Sequence, residues 1–283
     1  MTVSDAELDA VLQLALRAAH VAACTTDKAV DDRDTASNDF RIRQTPTDLA
    51  IQNDKQCEEE VVSILREGAP HYEIIIKDSS SDAVLTDKPT WVVDVTNGSD
   101  SFIHGLFDFC VSIALVVGKE PVVGVVNAPP LHEVFSAVRG RGAYCNGQRI
   151  HVSPCDSINR SVVYIRDAAL RDPVAVTAVV DMQKDFTKMP VHALRAHGST
   201  ALDMCFIASG RAELLLEAGV NPWDIAAGAI IVREAGGVVH DIDNADSLNL
   251  TSHTVCCANS LEIARIGMNT AAKHMYKRVM LGN

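Results

Sequence analysis

The stretch "WVVDVTNGSDSF" at residues 91–102 places Asp94, Thr96, Asn97, Ser99 and Asp100 directly behind an apolar run. Two carboxylates, an amide and two hydroxyls on one turn are hard oxygen donors of the kind a divalent cation takes. Far along the chain, "NPWDIAAGAIIVREAGG" sets Asp224 just after Pro222 and Trp223, in the first turn of a helix that Gly236 and Gly237 close. Each acid also has a plainer reading. Asp94 can serve only as a turn residue, and Asp224 can serve only the positive N-terminal end of its helix.

These residues need elements to position them. Residues 5–23 place Ala, Leu and Val at helical spacing after Ser4 and Asp5, which predicts an amphipathic first helix. A second helix is predicted over 51–67, ending near Gly68 and Pro70. Short β-branched runs follow at 73–77, 90–95, 110–118, 121–128, 133–138 and 148–153, split by Gly, Pro and Asn, and predict a mostly antiparallel sheet. The second half alternates instead. Strands at 161–166, 191–194, 212–219 and 237–242 are interleaved with helices near 172–184, from Thr200, from Trp223 and over 259–276. Such alternation implies a second sheet between helical layers. The expected fold class is α/β, a layered α-β-α-β-α sandwich. It is read as one domain over 1–283, with an N-terminal α+β lobe at 1–155 and a C-terminal α/β lobe at 156–283. Asp94 ends its strand, so its carboxylate leaves the sheet where α/β folds commonly bind ligands.

Composition narrows the function classes. A net charge of −12 opposes nonspecific nucleic-acid binding, which needs clustered Lys and Arg. The N-terminal "MTVSDAELDAVLQLALRAAHVAA" carries acids ahead of its apolar residues and resembles neither a signal peptide nor a membrane span. A soluble cytoplasmic protein is expected. The eight Cys are scattered without CxxC spacing and read as reduced core thiols.

Taken together, the two acidic stretches resemble the signatures of the inositol monophosphatase family of magnesium-dependent, lithium-sensitive phosphatases. These signatures are "DPIDGT" after a strand and "WD.AAG" opening a helix. The second is matched at every fixed position by Trp223, Asp224, Ala226, Ala227 and Gly228. The resemblance extends through "TPTDLAIQND" at 45–54, "FIHG" at 102–105, "GRGAYCNGQRIHVS" at 140–153, "HGSTALDMCFIASGRAELLLEAG" at 197–219 and "REAGGVV" at 233–239. It covers nearly the whole chain and implies the family's layered fold, a small polyol phosphate as substrate, Mg2+ as cofactor and a homodimer.

Carried over position by position, the resemblance makes Asp94, Thr96 (through its carbonyl), Asn97 and Asp224 metal-site candidates, with Asp94 and Ser99 in catalytic roles. Gly98, Ser99, Ser199, Thr200, Glu217 and Asp224 fall at substrate-contact positions, although Ser199 and Thr200 also read as helix caps. Two ligand positions depart from the family. Asn97 stands where the second Asp of "DPIDGT" belongs, and Lys77 stands at the ligand Glu of a "GEE" segment. Asp78 replaces that Glu only if a shortened loop slides it into place, and a one-residue slip along a strand turns the side chain to the opposite face. Asp54 matches an additional, weaker metal position or caps its helix.

Lys77 cannot coordinate a cation while charged, and its ammonium repels one. Asn97 still has a neutral carbonyl oxygen to offer. Three functions follow: attenuated Mg2+-dependent hydrolysis of an inositol or similar polyol phosphate, a pseudophosphatase that binds a phosphate ester or a protein partner, or a structural subunit. Lys77 can also occupy the space of a missing metal and meet phosphate directly. His104 and His197 are assigned to packing and turn geometry, because nothing nearby in the sequence completes a Ser-His-Asp or zinc constellation.

Overall fold

The computed structural model describes residues 5–35, 52–77, 84–166 and 173–282. Its N-terminal half contains α1 (Asp5–Thr35), α2 (Gln52–Gly68), β1 (Glu73–Ile76), β2 (Thr90–Asn97), α3 (Ser99–His104), β3 (Cys110–Val117), β4 (Glu120–Ala128), β5 (Glu133–Val138), β6 (Ala143–Cys145) and β7 (Gln148–Ile150). The C-terminal half contains β8 (Val162–Ile165), α4 (Pro173–Lys188), β9 (Ala193–Arg195), α5 (Thr200–Ala208), β10 (Leu214–Ala218), α6 (Pro222–Glu234), β11 (Val238–His240), β12 (Thr254–Ala258), α7 (Leu261–Lys273) and α8 (Tyr276–Leu281).

Strands β1 to β7 form one sheet in chain order. Only β1 and β2 pair in parallel; every later neighbour is antiparallel. The second sheet is mixed, in the order β11-β12-β10-β8-β9. Every residue of β2 is buried because both faces of its sheet are covered. Trp91, Val93 and Val95 pack with α1 and α2, whereas Val92 joins α5, α6 and the inner face of the second sheet. A third apolar cluster joins that sheet's outer face to α4, α7 and α8. The layers are therefore α-β-α-β-α, with α5 and α6 as the middle helical layer.

Several local expectations are corrected. Helix α1 runs to Thr35, past the expected residue 23. The predicted polar turn after Asn97 closes into the short helix α3. Strand β12 was not expected, because "TVCCA" is short and reads as core thiols, yet it pairs with β10 and β11 and is wholly buried. The run at 148–153 contributes only β7, paired to the brief β6.

The middle layer fits closely against the first sheet. A methyl group at Gly124 of β4 would meet Ile230 Cγ2 at 2.5 Å and the Ala227 carbonyl oxygen at 2.7 Å. Glycine lets β4 touch the backbone of α6, and α6 carries Asp224.

Candidate active site

Strand β2 runs past its expected end at Asp94 to Asn97, with a register shift against β3 between the pairs Asp94–Ser112 and Asn97–Cys110. Asp94 is buried there. Its Oδ1 accepts the Thr96 backbone N–H at 3.0 Å, and its Oδ2 accepts Asn97 Nδ2 at 3.0 Å and Lys77 Nζ at 3.3 Å. Gly98 adopts φ +96°, and a Cβ there would meet the Asp108 carbonyl oxygen at 2.6 Å, so the turn into α3 requires glycine. Ser99 Oγ donates to the Thr96 carbonyl at 3.0 Å. Lys77 Nζ reaches that carbonyl and Ser99 Oγ, each at 3.4 Å. Asp54, in the first turn of α2, accepts the Thr96 hydroxyl at 2.9 Å.

Asn97 is the hub of the floor. Its Oδ1 accepts the Ser199 hydroxyl at 2.6 Å and the Ala201 backbone N–H at 3.2 Å. A backbone N–H can only donate, so the amide orientation is determined. Nδ2 therefore faces the acids, donating to Asp94 Oδ2 at 3.0 Å and Asp224 Oδ1 at 2.8 Å. From its sequence position Asn97 has a carbonyl oxygen to offer the site; the structure turns that oxygen toward α5 and presents N–H groups instead.

Asp224 enters from the first turn of α6, where its Oδ2 also accepts the Asn221 backbone N–H at 2.8 Å. Burial, reinforced by the neighbouring Asp94, pushes its carboxyl up to about 7.

The opposite wall follows the helix-cap reading of Ser199. Ser199 caps α5 by accepting the Leu202 N–H, and Thr200 donates to Glu217 Oε2 at 2.8 Å. Arg166, just beyond β8, donates through Nη1 to Glu217 Oε1 at 3.0 Å and Thr200 Oγ1 at 3.3 Å. A cleft of about 450 Å³ opens over these residues, lined by Lys77, Asn97, Gly98, Ser99, Arg166, His197 and Asp224 among others. Of the expected substrate contacts, Gly98, Ser99 and Asp224 line it. Ser199, Thr200 and Glu217 lie behind it, buried and engaged with protein partners. A larger groove of about 600 Å³, between α1 and the turn before β1, gathers none of these residues.

Two features escaped the sequence reading. Arg166 carries a strand-end signal like that of Asp94, but nothing local connects it to Glu217. His197 was assigned to packing, yet its Nδ1 lies 2.7 Å from Asp203 Oδ1. The α5 cap turn separates the two in sequence and brings them together in space. The Asp203 bond raises the His197 pKa, while burial pushes the Asp203 carboxyl up to about 6. His104 does not line the cleft.

A sequence model of the inositol monophosphatase family matches residues 7–276. The chain belongs to that family. It is 38% identical over 222 residues to inositol monophosphatase 1 of Solanum lycopersicum, covering 77% of this chain and 81% of the relative. It is 33% identical over 226 residues to inositol monophosphatase 1 of Homo sapiens, covering 79% and 81%. Among solved structures, extragenic suppressor protein suhB from Bartonella henselae superposes with a TM-score of 0.82 at 26% identity, covering 93% of this chain and 99% of the other. The inositol monophosphatase from Anabaena superposes with a TM-score of 0.74 at 26% identity, covering 94% and 96%. Membership of the inositol monophosphatase family supports a phosphatase-like function. No described helix is long and apolar enough to cross a membrane.

The magnesium that the family resemblance implies needs near-octahedral oxygen ligands. Here both oxygens of Asp94 and of Asp224 already accept N–H donors. The Lys77 ammonium contacts Asp94 Oδ2, the Thr96 carbonyl and Ser99 Oγ, and would repel a dication. Among the described residues, no three His, Cys, Asp or Glu side chains cluster closely enough to hold a metal. The described donor set does not fit a magnesium centre. Asp78, the possible replacement ligand, lies outside the described residues.

Proposed function

We propose that the chain binds a small polyol phosphate monoester, such as an inositol monophosphate, in the cleft over Asp94 and Asp224. On this reading it hydrolyses that ester as an attenuated phosphatase of the inositol monophosphatase type, with a weak response to Mg2+. Family membership supports the phosphatase class. The observation that carries the attenuation is the Asn97 amide bridging Asp94 and Asp224 beside the Lys77 ammonium. On the same reading Gly98, Ser99 and Asp224, which line the cleft, face the phosphate ester, and Asp94 acts from beneath them beside Lys77. A homodimer and a cytoplasmic location belong to the same reading; sedimentation and cell fractionation test them.

A second reading, binding without turnover, is favoured by the same Lys77 contact, because an ammonium can neutralise the acids and meet phosphate without a metal. Phosphate release from inositol 1-phosphate across a Mg2+ titration separates the two, run beside Lys77→Glu/Asn97→Asp. Slow release by the natural chain and faster release by the double variant are expected. Release by the double variant alone makes the natural chain a binder. No release by either, with both folded, overturns the phosphatase reading.

A further inference from the structure

Two ion pairs and one histidine–carboxylate pair border the cleft, and all three face the same way. In each, the nitrogen-bearing side chain is the outer member and the carboxylate the buried one. Side-chain exposures are 30% for Lys77 against 2% for Asp94, 25% for Arg166 against 4% for Glu217, and 19% for His197 against 2% for Asp203. Lys77, Arg166 and His197 line the cleft, whereas Asp94, Glu217 and Asp203 do not. Lys77, Arg166 and His197 come from separate elements: the end of β1, the end of β8 and the turn before α5. A ligand entering the cleft therefore meets the Lys77 and Arg166 charges and the His197 imidazole first, with the three carboxylates set behind them.

The acids that do line the cleft are largely engaged. Asp108 Oδ2 accepts the Gly198 N–H at 2.5 Å, and both Asp224 oxygens accept donors. Asp100 is exposed at the rim, where solvent screens it. Both hydrogen bonds of Arg166 among the described residues run through Nη1, so Nε and Nη2 are the groups a ligand can take. A guanidinium held by a buried carboxylate is rigid, and its fork matches phosphate or carboxylate geometry.

We propose that this cleft is a site for a small molecule bearing two or more anionic groups, such as a polyol bisphosphate, held directly by Lys77, Arg166 and His197 without a divalent cation. The inference rests on the reading that the cleft binds phosphate esters, and it narrows that reading to a multiply charged class. The layered pairs explain how a chain of net charge −12 can receive such a ligand. Local orientation of the pairs, rather than the overall charge, determines what the ligand meets at contact distance.

Isothermal titration calorimetry on the full chain in EDTA, with inositol 1-phosphate and an inositol bisphosphate as probes, tests it. The bisphosphate is expected to bind about tenfold more tightly than the monophosphate, and Lys77→Met to weaken both by a similar factor. Arg166→Met/Glu217→Met removes the second pair together, since losing one partner would strand a buried charge. That variant is expected to weaken bisphosphate binding more than monophosphate binding, collapsing the ratio, with its fold checked by circular dichroism. Equal affinities, or binding of either probe only after Mg2+ is added, overturn the inference and leave the phosphate-ester reading standing. Failure of both probes with and without Mg2+ removes both.

Discussion

Asn97 and Asp224, 127 positions apart in the chain, are joined by a 2.8 Å hydrogen bond from the amide to the carboxylate. The same Nδ2 group donates to Asp94 at 3.0 Å. A neutral side chain thus ties the end of β2 to the start of α6 and supplies protons to two acids that would otherwise repel each other.

Replacing that amide by a carboxylate removes the donors and adds a charge. Asn97→Asp in EDTA is expected to lose about 1–3 kcal/mol of stability, because buried acceptors are left unsatisfied. Thermal melting of the variant against the natural chain checks it, and an unchanged midpoint would contradict the amide's role as hub.

The Arg166–Glu217 pair is buried on its carboxylate side. Glu217→Ala leaves a guanidinium without its partner and is expected to cost about 3 kcal/mol, whereas the paired Arg166→Met/Glu217→Met change is expected to cost much less. Urea unfolding of the two variants separates a stranded charge from simple loss of packing.

Gly124→Ala drives a methyl into Ile230 and the Ala227 backbone. A backbone obstacle cannot rotate away, so about 1–3 kcal/mol of destabilisation is expected. Since β4 would push on the helix that carries Asp224, ligand affinity in calorimetry is expected to fall as well. Full stability would show that α6 can shift without cost.

Asp185 of α4 meets Lys273 at 2.5 Å and His274 at 2.8 Å, at the C-terminal end of α7. These hydrogen bonds lower its carboxyl from 3.8 to about 2. Its contribution to stability is full above the ordinary value and is lost as pH falls through about 2. The stability gap between the natural chain and Asp185→Asn should therefore narrow from pH 4 toward pH 2. Melts across that range measure it, and a gap independent of pH would place the effect elsewhere.

Much of the fold is legible locally. Alternating β-branched runs and helical apolar spacing locate most strands and helices, because burial on one or both faces leaves a period in the sequence. Strand β12 escapes because five buried residues carry no period that distinguishes a strand from a short apolar loop. Asp94 and Asp224 stand out because a carboxylate closing an apolar run and one opening a helix are local features.

The sequence by itself determined the family, the layered architecture and the positions of Asp94, Lys77, Asn97 and Asp224. Only the tertiary structure decided which atoms those residues present to one another. Asn97 turns its nitrogen inward because Ser199 and Ala201, from a distant helix, claim its oxygen. Arg166 meets Glu217, and His197 meets Asp203, because neighbouring elements bring them within reach. Hydrogen-bond direction and charge pairing depend on the partner across the gap, and that partner is set by packing rather than by spacing along the chain.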